Sequence, residues 1–390
     1  MEKHVYELVR GLVDRGIDVT VICEDRSHLP DPVDVLEDRI VGVAPESLSS
    51  EGWIATYREK SERFAGLLDP GAFDVVHCHS HYGRDVALKV ARNPDGPALV
   101  TTFHLTPIGQ LERFRQVGVP EPEGAPIDLA VSNMEATSAR LSDRCIAVSH
   151  GVRREIVRYY SVPPERVSVI HNWFDPNSFD THDRSSARSA LHLDPDAPYL
   201  LYIGHFDLPR GRLLAEAIRL LPPEISLLVV HPEADDEIGA EFGERVRFFG
   251  YQTPQQLARL YAAADLQVFP AVYSGFGLVL VEGMACGCPP VVFDFSAMNE
   301  VVTPESGFFA AEPTPEAYAR AIVRALPEAA AKRPGAIRRS REFVMDRQID
   351  RVVDLYSEIL AERAARHAPT LAEEKHPQVA AKPAEKAEAR

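Results

Sequence analysis

Short apolar runs alternate along the chain with stretches whose apolar positions recur at helical spacing. Residues 4–15, HVYELVRGLVDR, follow the helical period, and Gly16 supplies a stop. Strand-like runs follow at Val19–Cys23, Asp74–Cys78, Ala98–Phe103, Arg144–Val148 and Val167–Ile170. Between them the spacing predicts helices over Asp85–Ala91, Ser132–Leu141 and Gly151–Tyr160. A polar stretch, Asp175–Ser189, then separates this half from a second one. The pattern restarts with strands at Tyr199–Ile203, Ser226–His231, Arg245–Phe249 and Leu266–Phe269, and helices over Arg212–Leu220 and Pro254–Ala263. Alternation of this kind predicts parallel sheets with helices on both faces.

The predicted fold is α/β, with two Rossmann-like domains facing a cleft and ligands bound beyond the strand C-termini. The expected division is 1–174, 175–340, a long helix over 341–363, and a tail over 364–390. That tail is rich in Ala, Lys, Glu and Pro and is expected to be disordered. Net charge is −16, which argues against a nucleic-acid binder and against electrostatic docking on anionic lipid. The five cysteines include no CxxC pair, so reduced thiols in a cytoplasmic protein are the expectation. No apolar run approaches the roughly 20 residues that span a bilayer.

The richest stretch is Pro270–Val292, PAVYSGFGLVLVEGMACGCPPVV. A strand ends at Phe269, a loop carries Gly275, Phe276 and Gly277, and a short apolar helix runs from Leu278 to Ala285. Free backbone N–H groups at the start of such a helix receive an anion. Glu282 is the one acid in that helix, and an acid there is costly unless something meets it. A ribose diol suits it, because a carboxylate accepts from two hydroxyls.

With HVYELVRGLVDRGIDVTVI, FDVVHCHS, AVSHGVRREI, VIHNWFDPNSF, YIGHFDLPRG, FFGYQTPQQLARLYAAADLQVFPA and GFGLVLVEGMACGCPPVV in this order, the chain resembles the retaining, nucleotide-sugar-dependent glycosyltransferases of the GT-B fold, family 4. The resemblance runs to about Arg363. It implies transfer of a hexosyl group from a nucleoside diphosphate to an acceptor hydroxyl with the anomeric configuration kept. It implies no metal and no cofactor beyond the nucleoside-diphosphate sugar as co-substrate. The acceptor is left open among sugars, lipid-linked molecules and small molecules. The last helix is expected to cross back to the N-terminal domain. Gly204, His205, Arg210, Gly275, Phe276, Gly277, Leu278 and Glu282 are the implied donor-binding residues; His104 and Ser274 are the implied catalytic ones.

Three departures from the family pattern stand out. The family carries two glutamates with seven residues between them; here the first position is Ser274 and the second Glu282. Losing a charge-assisted hydrogen bond costs about 1.5–3 kcal/mol. The two cations that hold the diphosphate correspond to His205 and Arg210. A histidine there predicts tighter nucleotide binding as pH falls from about 8 to 6, unless His205 only caps a strand. Relatives also place a strand and a Gly-Gly loop before the segment matching Met1–Val5, and its absence is expected to leave a gap in the first sheet. Together these keep a second reading open: a catalytically impaired relative that binds a nucleotide sugar or serves as a scaffold. A third, a nucleotide-sugar epimerase, fits the GFGLVLVEGMACG segment poorly.

Other candidates are weaker. His77, His79 and His81 alternate and would share one face of a strand, a spacing open to a metal, although a His-x-His at this strand end also matches relatives. His104 either meets the acceptor or bonds to backbone. Glu300 is expected to cap its own helix, and Asn172 and Asp175 to serve the domain junction. Residues Thr106–Asp128 are read as a Pro- and Glu-rich loop.

Overall fold

The computed structural model describes residues 2–23, 40–42, 53–119, 125–179, 183–233 and 235–367. Most of the 364–390 tail therefore lies outside the described residues. Among the described residues there are twelve strands: β1 (Val21–Cys23), β2 (Ile40–Gly42), β3 (Val75–His79), β4 (Ala98–Phe103), β5 (Arg144–Ala147), β6 (Val167–Val169), β7 (Tyr199–Ile203), β8 (Ser226–Val230), β9 (Val246–Phe249), β10 (Leu266–Phe269), β11 (Pro290–Phe293) and β12 (Phe308–Ala310). All pairings between them are parallel, as the alternation of strands and helices requires.

The first half holds a four-stranded sheet, β3-β4-β5-β6, and a separate pair, β1-β2; among the described residues no strand joins them. The second half is one sheet of order β12-β11-β10-β7-β8-β9. Its central strands β7 and β10 are neighbours, so the loops after Ile203 and Phe269 leave the same edge side by side. That places the His205–Arg210 turn beside the Ser274–Gly277 loop.

Two regions differ from the sequence reading. Residues 107–117 form a helix rather than a loop: Thr106 caps it by accepting from Gly109 N, Pro107 opens it, and Gly118 closes it at φ 72°. The polar stretch Asp175–Ser189 contains a helix, Arg184–Ala190, capped by Asp183. Its Arg188 is 2 % exposed, donates to Pro195 O (2.6 Å) and Ala263 O (2.9 Å), and pairs with Asp265 (2.8 Å). A polar separator is thus a buried tie, because the Arg188 guanidinium finds acceptors on several carbonyls and Asp265.

The chain crosses between domains twice at one point. Phe174 N donates to Phe343 O, and Met345 N donates to Phe174 O, both at 3.1 Å. The final helix begins at Met345 rather than Arg341, because Arg341–Phe343 form a tighter turn and Val344 is extended to make this bridge. It runs to His367 and packs Ile349, Val352, Leu355 and Ile359 against Leu8, Leu12, Val100, Ile146 and Trp173 of the first half. Gly11 permits the close approach; a Cβ there would lie 2.3 Å from Ile349 Cδ1.

One buried acid makes this fold pH-sensitive. Glu135, 2 % exposed, accepts from Tyr160 Oη at 2.5 Å, and burial pushes its carboxyl up to about 8. A carboxyl raised on folding adds stability that is full below its unfolded value near 4.5 and is lost as pH rises through about 8. Wild type should therefore lose stability, on the order of 4 kcal/mol, between those limits. Urea midpoints at pH 5 and pH 8 should show Glu135→Gln removing most of that slope.

Candidate donor and acceptor site

Apart from Glu282 the helix Leu278–Ala285 is apolar, and it is buried from Leu280 onward, so its position is fixed by packing. Gln267 Nε2 and Tyr261 Oη both donate to Val279 O, at 2.9 and 3.0 Å, which anchors its first turn. Gly277 stands at its N-terminus with φ 86°, and no side chain caps the helix. Gly275 just before it abuts the other domain: a Cβ there would fall 1.7 Å from His104 O. Phe276 is buried against Phe343 (5.3 Å between rings) and His171 (5.8 Å). Ser296 Oγ donates to Ser274 O at 2.8 Å and fixes the loop from behind.

Beside this loop, Gly204, His205 and Arg210 gather at the end of β7. Arg210 lies in the first turn of the helix Pro209–Arg219, with its guanidinium 5.9 Å from the Phe269 ring at the end of β10. A Cβ on Gly204 would lie 3.1 Å from Arg210 Nη2, so glycine leaves room for the cation. Arg210 Nε is buried without a hydrogen-bond partner. His205 is half exposed, and its Nδ1 lies 2.6 Å from His231 Nε2. At that distance one ring donates and the other accepts, so His205 is not an isolated imidazole. His231 was not singled out from the sequence; the signal lay in β7 and β8 being successive parallel strands, which brings their C-terminal residues together.

Glu282 is 4 % exposed, and its Oε1 accepts from Lys3 Nζ at 2.6 Å. Lys3 sits on the helix Glu2–Asp14 of the other domain. Burial raises Glu282, and Lys3 opposes that rise. Burial alone would lower Lys3, but Glu282 and Glu7 outweigh it and raise it. Glu7 lies 4.0 Å from Lys3; burial pushes it up to about 7 against the pull of Lys3. The acid expected to meet a ribose is thus already met, at one oxygen, by a lysine that no spacing argument connects to it.

His104 stands just past β4. Its Nε2 is 3.3 Å from His79 Nδ1, and its ring crosses His4 at 4.7 Å. Burial, with the neighbouring His79, holds His104 well below the usual imidazole range. His77 is satisfied by Tyr356 Oη (2.5 Å) and Thr102 Oγ1 (2.7 Å), while His81 turns away to face Tyr57. The alternating set His77, His79 and His81 therefore does not converge.

Two further contacts close the domains together. Tyr273 Oη accepts from Thr106 N (3.1 Å) and donates to Glu155 Oε2 (2.8 Å), which also accepts from Thr106 Oγ1 (2.6 Å). Glu300 accepts from His150 N at 2.8 and 2.9 Å, so it caps a helix of the opposite domain rather than its own. Burial would raise Glu300, but His171 at 2.6 Å and that N–H hold it below the usual range. Next to Glu155 a cavity of about 370 Å³ lies between the domains, lined in part by Arg113, Arg154, Arg158 and Asp294. Glu112 and Glu155 also line it, so three arginines face three acids there. No helix among the described residues is long and apolar enough to cross a membrane.

The model of Glycosyltransferase Family 4 matches residues 1–178, and that of Glycosyl transferases group 1 matches residues 197–328. A D-inositol 3-phosphate glycosyltransferase of Thermobispora bispora is 28 % identical, covering 95 % of this chain and 92 % of the relative. That of Geodermatophilus obscurus is 29 % identical, covering 94 % and 86 %. Among solved structures, a sucrose-phosphate synthase from Thermosynechococcus elongatus superposes with a TM-score of 0.78 at 22 % identity, covering 92 % of this chain and 93 % of that one. Anabaena HepE, solved in complex with UDP, gives 0.68 at 18 % identity, covering 92 % and 96 %. These likenesses carry the fold, and the two family matches, one on each domain, carry the assignment: the chain belongs to glycosyltransferase family 4 and is a transferase of the GT-B fold.

Proposed function

We propose that the protein transfers a hexosyl group from a nucleoside-diphosphate sugar to an acceptor hydroxyl, with retention at the anomeric carbon and without a metal. The observation that carries this is Arg210: a buried guanidinium nitrogen with no partner, beside an uncapped helix N-terminus. An unpaired buried donor is costly, and a diphosphate oxygen satisfies it. HepE, which shares the fold at low identity, was solved with UDP, so UDP heads the ligands to test.

In this reading Arg210 and the N–H groups at the start of the helix Leu278–Ala285 stabilise charge that builds on the leaving diphosphate. His205, backed by His231, adds a donor at the same mouth. The leaving phosphate takes the acceptor proton on the face it departs from, which keeps the configuration. The backbone contact of Gly275 with His104 keeps water from the reacting carbon. Ser274 offers a hydroxyl where relatives offer a carboxylate, and His104, held neutral, serves as a hydrogen-bonding partner for the transferred sugar or the acceptor. With Glu282 Oε1 occupied by Lys3, Oε2 is the oxygen that meets the ribose.

Two outcomes test this. In a thermal-shift panel of UDP, GDP and ADP, one nucleotide at 100 times its dissociation constant should add about 2.7 kcal/mol of stability. Arg210→Ala should weaken that nucleotide by about 10- to 100-fold, the worth of a charge-assisted hydrogen bond; unchanged affinity would remove the diphosphate from this corner. The ribose role is read separately. Wild type should prefer the preferred nucleotide over its 2′,3′-dideoxy form by about 10-fold, and Glu282→Gln should close most of that gap by calorimetry.

A further inference from the structure

The interdomain cavity of about 370 Å³ beside Glu155 lies across the Ser274–Gly277 loop from the diphosphate corner. The sheet order shows why: β10 stands between β11 and β7. The segment after β11 and the His205–Arg210 turn after β7 therefore flank the loop after β10 from opposite sides. Asp294–Asn299 forms one wall of the cavity, and its Ser296 also holds Ser274 O. The helices Pro107–Val117 and His150–Tyr160 of the first domain form the other wall. A volume of this size falls in the range of about 300–1,000 Å³ found for small-molecule sites.

Of the three acids that line it, two are already engaged. Glu112 pairs with Arg115 at 3.0 Å. Glu155 accepts from Thr106 Oγ1 at 2.6 Å and from Tyr273 Oη at 2.8 Å, and burial raises it. The three arginines are not engaged in this way: among the described residues Arg113, Arg154 and Arg158 are in no ion pair. Arg154 and Arg158 lie one turn apart on the same helix and are exposed, so they share a face. Arg113 is half-buried, and its guanidinium lies over the Phe295 ring at 5.2 Å, across the domain boundary. A guanidinium held over a ring keeps its N–H edge for an anion. On the opposite wall Asp294 is exposed and met by no side chain among the described residues. With Asn299 it offers acceptors and donors suited to hydroxyls.

We propose that this cavity binds the phosphate monoester of a sugar or polyol, with the phosphate on Arg113, Arg154 and Arg158 and the hydroxyls on Asp294 and Asn299. Such an ester carries close to two negative charges at neutral pH, and guanidinium forks match its oxygens. One free acid does not cancel three free guanidiniums, and its place on the opposite wall suits the hydroxyl end of the ligand. The rings of Phe295 and Tyr159 also line the cavity and present apolar surface to the carbon skeleton. Neither His104, Arg210 nor Glu282 lines it. It is therefore a second site, apart from the donor and acceptor groups, and does not rest on the donor reading.

The test is calorimetry on the full chain at fixed ionic strength, with glucose 1-phosphate, glucose 6-phosphate, inorganic phosphate and glucose as probes. At least one ester should bind at one equivalent, about 10-fold or more tighter than inorganic phosphate, and glucose should not bind. Arg113→Gln and, separately, Arg154→Gln should weaken that ester by about 10-fold or more. Asp294→Asn should narrow the ester's lead over inorganic phosphate. Arg210→Ala should leave the ester's affinity unchanged, whatever it does to a nucleotide. Circular dichroism of each variant shows whether it has kept its fold. Failure of both esters to bind overturns the proposal, as does inorganic phosphate binding as tightly as the ester. So does an affinity that survives in both arginine variants, or a lead that Asp294→Asn leaves intact. An affinity that falls in Arg210→Ala overturns it too, because the ester then occupies the diphosphate corner.

Discussion

The approach of two backbones, Gly275 against His104 and Leu105, is the constraint on which the cleft depends. A Cβ at Gly275 would lie 1.7 Å from His104 O and 3.2 Å from Leu105 Cα, so only glycine lets the loop pass. Everything nearby conforms to that contact. Two residues earlier Tyr273 reaches across to Thr106 and Glu155, and one residue earlier Ser274 is held by Ser296. Two residues later Gly277 turns the chain into a helix whose open N-terminus is thereby presented at the domain boundary. A loop that packed on side chains instead of backbone would stand further from the first domain and leave room for water.

Local features of this arrangement were legible in the residues. The strand, glycine loop and apolar helix from Leu266 to Ala285 follow from composition and punctuation alone, and the helix has the bounds expected of it. The helix Pro107–Val117 was also legible: Ile108, Leu111, Phe114 and Val117 recur every third residue between Thr106-Pro107 and Gly118. Its neighbourhood of Pro and Glu drew attention from that period. Other features are set by the tertiary fold. Lys3 and Glu282 are 279 positions apart, and no pattern within either segment refers to the other. Glu300 sits at a helix start, where acids usually serve their own helix, yet domain packing brings a different helix N-terminus closer. Arg188 reads as a solvated charge until the carbonyls of 195, 197 and 263 surround it.

Lys3, Glu7 and Glu282 form a unit whose charge does not balance. One lysine, 41 % exposed at its side chain, faces two acids that are 8 and 5 % exposed. Two buried carboxylates cannot both be ionised cheaply beside one cation, and the nearer takes the preference. Lys3 is 2.6 Å from Glu282 and 4.0 Å from Glu7, and Glu7 is the one pushed up to about 7. Thus the lysine opposes the rise at Glu282 at closer range than the rise at Glu7. An isolated acid in the helix Leu278–Ala285 would pay the full desolvation cost and favour its neutral form.

The histidines show how far environment rather than residue type decides chemistry. His205 and His231 lie at a solvent-open mouth, with a charged guanidinium nearby and a side chain half exposed. His4, His79 and His104 are crowded, buried and mutually repelling when charged. Protonating any one of them would place charge beside two others with little water to screen it. Burial therefore holds them below the usual imidazole range. One protein thus holds an exposed pair and a crowded trio of the same side chain, and solvent access separates them.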